Sequence, residues 1–202
     1  MRRLSFVAIL LPLALFALSC SEENPPTGPE GWQELTSPFN TLWDVKYCFD
    51  SYQVEMGIIK RLSTLFSDQF IFYFEPIDGG DTIPEHPFPE FWTKDQLLPV
   101  LNNVFNTAYS ITFEIPILDK GEQAFGIPHS ADTIFMKNNI IINFVLFIDA
   151  TQFYQAQGFC DFKFTKGEDG LWQLSEWRDH TGPSSPPTYL SLGEIFYMYS
   201  NH

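Results

Sequence analysis

The side chains best suited to acid–base chemistry are Asp179 and His180, which end the last predicted strand beside a proline-containing loop. Enzymes place carboxyl or imidazole groups at such positions to transfer protons, after adjusting their pKa values. Neighbouring strand residues point to opposite faces, so the two side chains share one pocket only if a bulge separates them. Asp179 is therefore the candidate general acid or base. The structural alternatives are a capping carboxylate or a partner of Arg178 for Asp179, and a solvated loop residue for His180.

Glu114 is a further candidate of the same kind. Like Asp161, it lies in a predicted strand with apolar neighbours, where a carboxyl group is either a lone polar group in a cavity or an outer-face residue. His129 and Asp132 are spaced for a loop contact, and the sequence has no His-Glu-x-x-His pattern. It also has no nucleophile motif, phosphate loop or dinucleotide fingerprint, so we expect neither a metal nor a cofactor.

Aromatic side chains make up 17% of the 202 residues, far more than a disordered acidic chain carries, so the chain can bury a core. The candidates for lining an apolar ligand pocket are Tyr73, Trp92, Phe105, Trp172 and Trp177. Each aromatic ring also buries a large area, so a hydrophobic core is the first role expected of so many rings. The sequence leaves both roles open.

The predicted elements that would position these residues begin with helices. Ser37 followed by Pro38 is a helix-start signal, and Thr93 with Gln96 forms a capping-box signature. The patterns along the first half are helical spacing over 38–52 and 56–65, in one bent helix or two, an aromatic strand over 70–74, and a short helix after Thr93.

The second half is strand-like. Period-2 stretches with aromatic and β-branched residues cover 110–118, 132–149, 159–165 and 171–180. Asn138-Asn139 is a turn or a bulge, and the turn residues 166–170 predict a hairpin between the last two strands. A terminal helix is possible over 190–199. This order predicts an α+β fold in which a curved antiparallel sheet covers the helices.

At this point the chain resembles a known superfamily. The segments Ser37-Pro38, Leu65-Phe66-Ser67-Asp68-Gln69-Phe70-Ile71-Phe72, Trp92 to Phe105 and Gly170 to Asp179, with its Trp-x-x-x-x-Trp-x-Asp pattern, are similar to the nuclear transport factor 2-like (NTF2-like) or SnoaL-like superfamily of the cystatin-like fold group. The resemblance covers roughly residues 36–182. It implies a cone whose sheet wraps around the N-terminal helices and encloses a cavity used for catalysis or for binding apolar molecules, and often a dimer through the outer sheet face.

The first residues predict export and lipidation. Arg2 and Arg3 precede an apolar run over 4–18 that is short for a membrane span, and Cys20 follows small residues as in a bacterial lipobox. We expect a signal peptide over 1–19, lipid on Cys20, a flexible tether over 20–35 and one domain over 36–202 with a C-terminal extension. An ordinary signal peptide or an uncleaved membrane anchor are the alternatives.

The predicted location is the bacterial cell envelope, on the outer membrane if the cell has two membranes. Removal of residues 1–19 takes away two Arg and no acid, which leaves nine basic and 25 acidic residues and a net charge of −16. A protein this acidic repels phosphate backbones, so nucleic-acid binding is not expected. Cys48 and Cys160 remain in a compartment that permits disulfides, and they form either a possible disulfide or two buried thiols.

The sequence leaves three functions open. The leading prediction is a non-catalytic module that binds a ligand or partner, because the superfamily resemblance is not accompanied by a catalytic motif. The second is a SnoaL-like lyase, isomerase or hydrolase that acts on a small apolar substrate with Asp179 as general acid or base. The third is a structural homodimerisation domain.

Overall fold

The computed structural model describes residues 32–54, 57–75, 88–181 and 190–200. The predicted signal peptide, Cys20 and most of the predicted tether lie outside these residues. The elements in chain order are α1 (Pro38–Ser51), α2 (Ile58–Leu65), β1 (Phe66–Tyr73), β2 (Phe91–Thr93), α3 (Lys94–Thr107), β3 (Ser110–Glu114), a 3-10 turn (Leu118–Lys120), α4 (Glu122–Phe125), β4 (Ile134–Phe147), β5 (Phe153–Lys166), β6 (Trp172–Thr181) and α5 (Leu192–Met198).

Two predicted helix starts are confirmed by their capping contacts. The Ser37 hydroxyl accepts a hydrogen bond from the Asn40 amide at 3.2 Å, and Pro38 is the first residue of α1. At α3, the Thr93 amide donates to the Gln96 side chain at 2.9 Å, which completes a capping box. The helical pattern over 38–65 forms two helices, and α2 starts after Gly57, whose φ of 84° suits a residue without a side chain.

The sheet has six strands in the order β2-β1-β6-β5-β4-β3 and is curved. Its pairs are antiparallel, as predicted, except that β1 and β6 run parallel. A parallel pair needs a long connection, and the segment from α3 to β5 supplies one between β1 and β6. Hairpin signals in the sequence are local and therefore could not reveal this pairing. The predicted α+β cone is confirmed.

The structure decides between a turn and a bulge at Asn138-Asn139, and it moves the start of β5. Asn138-Asn139 forms a bulge: the register with β5 shifts between Lys137 and Ile140, and Asn139 has a φ of 56°. The Asp161 carboxylate accepts a hydrogen bond from the Asn139 amide at 2.7 Å. Strand β5 begins at Phe153, six residues before the predicted start, because residues 153–157 pair with the distant strand β4 before the pairing with β6 begins at Gly158.

The helices α1, α3 and α5 cover one face of the sheet, which we call the inner face, and the other is the outer face. The inner-face residues of β4 to β6 are buried with α1 and α3 in one hydrophobic core. The domain also starts earlier than predicted. Gln33 donates its amide to Asp44 at 2.8 Å and Leu35 accepts from the Trp172 amide at 2.8 Å, so residues 32–35 belong to the domain and not to the tether.

Candidate functional site

Asp179 lies on the inner face of β6 and is only 2% exposed. One carboxylate oxygen, Oδ2, accepts a hydrogen bond from the Gly193 amide at 2.8 Å, and Oδ1 lies 3.8 Å from the Cys160 thiol. Burial raises the pKa of Asp179 from its ordinary value of 3.8 to about 6, although the hydrogen bond from Gly193 opposes this shift. Asp179 therefore binds the first turn of α5, which is the capping role that the sequence offered as the alternative to catalysis.

Helix α5 packs into the aromatic core of the inner face. Phe196 is fully buried, and its ring centroid lies 5.8 Å from that of Phe72, 5.9 Å from Phe144 and 6.4 Å from Trp177. The gap that remains beside Asp179, between β5, β6 and the start of α5, has no room for a water molecule. The inner face at Asp179 is thus packed with the chain's own side chains.

His180 lies on the opposite face of the sheet from Asp179, as strand alternation predicts. Its Nε2 is 3.1 Å from the Asp161 carboxylate and its Nδ1 is 3.5 Å from the Glu75 carboxylate. The two adjacent side chains therefore point to different faces, and His180 is a half-buried member of a surface cluster.

Glu114 is also on the outer face, where it is exposed. It accepts a hydrogen bond at 2.9 Å from Asn143, which in turn accepts one at 3.0 Å from Gln155. The prediction that Glu114 is a polar group in a cavity is thus wrong. Side chains alternate along β3, so Ile111 and Phe113 point to the inner face and Glu114 points to the outer face.

A third outer-face cluster surrounds Glu176. Lys163 donates to Glu176 at 2.6 Å and Arg178 donates at 2.8 Å. Partial burial opposes ionisation of Glu176, but these two hydrogen bonds outweigh it and lower its pKa. Arg178 also lies over the ring of Tyr73, 3.7 Å from its centroid.

The five aromatic residues predicted to line a pocket are not brought together. Tyr73 is on the outer face beneath Arg178, and Phe105 packs between Phe49 and Tyr52. Trp172 and Trp177 are buried core residues, at 2% and 0% exposure. These four do not line a pocket: Phe105, Trp172 and Trp177 pack into or against the core, and Tyr73 lies on the outer face of the sheet. Trp92 does line a groove.

The groove lies between α3 and the end of α5 and has a volume of about 360 Å³. Its apolar lining comes from Trp92, Pro99, Val100 and Tyr197, and its polar lining from Asp95, Gln96 and Ser200. The rings of Trp92 and Tyr197 are nearly parallel, at an interplanar angle of 16° and a centroid distance of 6.2 Å. A volume of this size is typical of sites for small molecules.

Cys48 and Cys160 are both buried free thiols, so the possible disulfide is wrong and the alternative of two separate thiols is correct. Cys48 lies on α1, whereas Cys160 lies on β5 and accepts a hydrogen bond from the Trp177 indole at 3.1 Å. Burial and the nearby Asp179 carboxylate raise the pKa of Cys160, and burial likewise raises that of Cys48. Neither thiol is suited to act as a nucleophile.

Within residues 32–54, 57–75, 88–181 and 190–200, no three His, Cys, Asp or Glu side chains come together in a way that could hold a metal ion. Across the same part of the chain, every helix is too short or too polar to cross a membrane.

Comparison with known proteins gives structural matches only. No protein-family model and no curated protein matches the chain. An NTF2-like superfamily protein from Salmonella enterica is 12% identical, with a TM-score of 0.47 over 74% of this chain and 91% of that chain. A candidate aromatic ring hydroxylase from Novosphingobium aromaticivorans is 9% identical, with a TM-score of 0.52 over 76% of this chain and 90% of that chain.

The domain has the NTF2-like fold. At such low identity the likeness concerns the fold alone, and an NTF2-like domain's chemistry depends on its own side chains.

Sequence reasoning missed the residues that close the inner face of this NTF2-like domain. Gly193 binds Asp179, Phe196 packs against Phe72 in the core and Tyr197 forms a wall of the groove. One signal marked this helix: Ser191 and Glu194 have capping-box spacing, and the Glu194 amide donates to Ser191 at 2.9 Å. Where α5 would pack could not be read from that signal.

Proposed function

We propose that this protein is a lipid-anchored, non-catalytic module of the bacterial cell envelope that binds a small apolar, aromatic molecule. The observation that supports this most strongly is the state of Asp179. The acidic side chain best placed for catalysis is bound to the Gly193 amide, and the gap beside it has no room for a water molecule. A general acid or base must reach the proton that it transfers, and this carboxylate reaches only its own chain.

The groove beside α5 is the proposed ligand site. It is lined by the nearly parallel rings of Trp92 and Tyr197, which favour a flat aromatic molecule, and by the exposed side chains of Asp95 and Gln96, which supply hydrogen-bonding groups. Because the protein is strongly acidic, a neutral or cationic ligand suits it better than an anion.

Catalysis remains the second candidate, and one observation favours it. A carboxyl group with a pKa of about 6 is a good proton donor and acceptor near neutral pH. However, Asp179 is 2% exposed and the gap beside it admits no water, so catalysis requires α5 to leave.

The homodimer is tested separately. Ile141 projects from the outer face of β4 and is 54% exposed, as a contact residue for a second copy would be. Sedimentation of the processed chain measures this directly, and a monomer at high concentration would rule out the homodimer.

Ligand binding is tested with N-phenyl-1-naphthylamine, a neutral aromatic probe that fluoresces in apolar surroundings. The protein is the processed chain over 20–202 with Cys20→Ser, which retains every residue that the structure describes. We expect saturable binding that Pro99→Phe weakens at least tenfold, because the new ring crosses the mouth of the groove. Asn102→Phe, at an exposed position of α3 outside the groove, is the matched control and leaves binding unchanged. Equal binding by both variants refutes the groove as the site.

Lipid anchoring is tested in cells. The full chain partitions into the detergent phase of a Triton X-114 extract and incorporates labelled palmitate, and Cys20→Ser abolishes both. Label that persists in the Cys20→Ser variant contradicts the anchor.

A further inference from the structure

Helix α5 is joined to the rest of the domain at both of its ends. At the start, the Gly193 amide donates to Asp179, and the Leu190 amide donates to the Gln155 carbonyl of β5 at 3.1 Å. At the end, the Asn103 side chain of α3 donates to the Tyr199 carbonyl at 3.1 Å. Between them, Phe196 enters the aromatic core.

The same helix builds part of the groove. Tyr197 and Ser200 line the groove from the α5 side, and Trp92 and Pro99 line it from the other side. If α5 left the inner face, the groove would lose one wall. The groove therefore exists only while α5 is docked.

The contact between Asp179 and α5 involves a buried charge. The Cys160 thiol on β5 faces this carboxylate, whereas the charges of Glu75 and His180 act on it from the other face of the sheet. Because no cationic side chain forms a hydrogen bond with Asp179 among the described residues, the charge is balanced mainly by backbone amides of α5. A buried carboxylate in such a setting gains hydration when the helix that covers it departs.

We propose that α5 is a releasable latch, which completes the ligand groove when it is docked and which is held less firmly when Asp179 is ionised. This regulation applies to the groove that we proposed above as the ligand site, and it rests on that proposal for its biological meaning. The opening of α5 can be measured in the protein without ligand, so it is tested independently of the proposed ligand site.

The direction of the pH effect follows from linkage. Burial raises the pKa of Asp179 from 3.8 to about 6 in the docked state, and undocking returns the carboxyl group to water and towards 3.8. The docked state thus holds its proton at pH 5 and has lost it at pH 8. With these two values, the equilibrium constant for opening rises about tenfold from pH 5 to pH 8, so acid favours docking.

Hydrogen exchange read by NMR tests the latch in the processed chain with Cys20→Ser. The Ile195 and Phe196 amides report α5, and the Phe162 amide reports the central strand β5. After division by the intrinsic exchange rate, we expect α5 to open more often than β5 and its opening constant to rise about tenfold from pH 5 to pH 8.

Two variants separate the latch from general loosening. Asp179→Asn retains an oxygen that can accept from Gly193 but cannot ionise, so the pH dependence of α5 opening becomes flat. Phe196→Leu raises the opening of α5 about tenfold at every pH and leaves its pH dependence intact. Exchange of α5 only together with β5, or a wild-type opening constant that does not change with pH, overturns the proposal. An Asp179→Asn variant that keeps the wild-type slope does so as well.

The link to the ligand is read from the same spectra. Saturating N-phenyl-1-naphthylamine slows exchange of the α5 amides, because a filled groove requires its Tyr197 wall. If the probe binds without slowing α5, the latch does not serve the groove and the proposal is wrong. If the probe does not bind at any pH, the proposed ligand function fails, while the pH series still decides whether α5 is a latch.

Discussion

The buried ion pair between Asp44 and Arg61 can be used to test which contacts stabilise the N-terminal part of the domain. Asp44 on α1 is completely buried and accepts hydrogen bonds from the Arg61 guanidinium and from the Gln33 amide, the latter at 2.8 Å. Arg61 on α2 also donates to the Gln33 carbonyl at 3.1 Å and lies 5.0 Å from the ring centroid of Trp32. The pair thus joins residues 32–33 to both α1 and α2.

Removing either partner has unequal effects. Among the described residues, Arg61→Met leaves the fully buried carboxylate with the Gln33 amide as its hydrogen-bond donor, and loss of one partner of a buried pair costs about 3–5 kcal/mol. Asp44→Asn retains an acceptor for Gln33, and the Arg61 side chain is 28% exposed and can turn to water, so we expect a loss of about 1–2 kcal/mol. Arg61→Met is therefore the more destabilising by about 2 kcal/mol.

The two variants also differ in their response to pH. Burial raises the pKa of Asp44 even with the opposing hydrogen bond from Arg61, and without Arg61 it rises further. A carboxyl group with a raised pKa stabilises the folded state in its protonated form, and this stability is lost as pH rises through the raised pKa. The deficit of Arg61→Met relative to wild type is therefore smaller at pH 5 than at pH 7.5.

Urea unfolding followed by tryptophan fluorescence at both pH values measures these differences in the processed chain with Cys20→Ser. Taking each variant against wild type at the same pH removes the contributions of the other titrating groups. Equal losses for the two variants at pH 7.5, or an Arg61→Met deficit that does not shrink in acid, would refute the reasoning.

Three further predictions follow from packing, backbone and thiol burial. Phe196→Ala lowers the free energy of unfolding by about 3–5 kcal/mol, whereas Phe153→Ala, at a position 55% exposed, changes it by less than about 1 kcal/mol in the same urea assay. Gly170→Ala, at a φ of 82° in the β5–β6 turn, lowers it by about 1 kcal/mol, which a lower melting temperature would report. Cys48 and Cys160 react with Ellman's reagent only after unfolding, and rapid reaction in the native state would contradict their burial.

The parts of the fold that depend on local chemistry were predictable. The side chains of Ser37 and Gln96 accept hydrogen bonds from amides at the helix starts, and Pro38 has a backbone suited to the first position, so each signal acts within a few residues. The turn over 166–170 is local for the same reason, and its hairpin is confirmed. The N-terminal lipidation and the location remain predictions.

The site depended on contacts that are distant in the sequence. Alternation along β6 predicted that Asp179 and His180 point apart, but not which side chain points to the helices. That choice is fixed by Trp177, two residues before Asp179, which must be buried and so places Asp179 on the same face. The sequence left the role of the aromatic residues open, because composition does not distinguish a ring that lines a pocket from a ring that fills one.

The energetics of α5 explain why we place the ligand in the groove and not inside the cone. A molecule in the cone would have to displace Leu192, Ile195 and Phe196, all nearly or fully buried. At about 2 kcal/mol for each buried side chain, their displacement costs about 6 kcal/mol, which weakens binding about 10⁴-fold. Ionisation of Asp179 lowers this displacement energy at neutral pH. A molecule in the groove requires no displacement of α5 and adds contacts to Tyr197. If α5 opens only rarely, a ligand therefore binds more tightly in the groove beside the docked helix than in the interior of the cone beneath it.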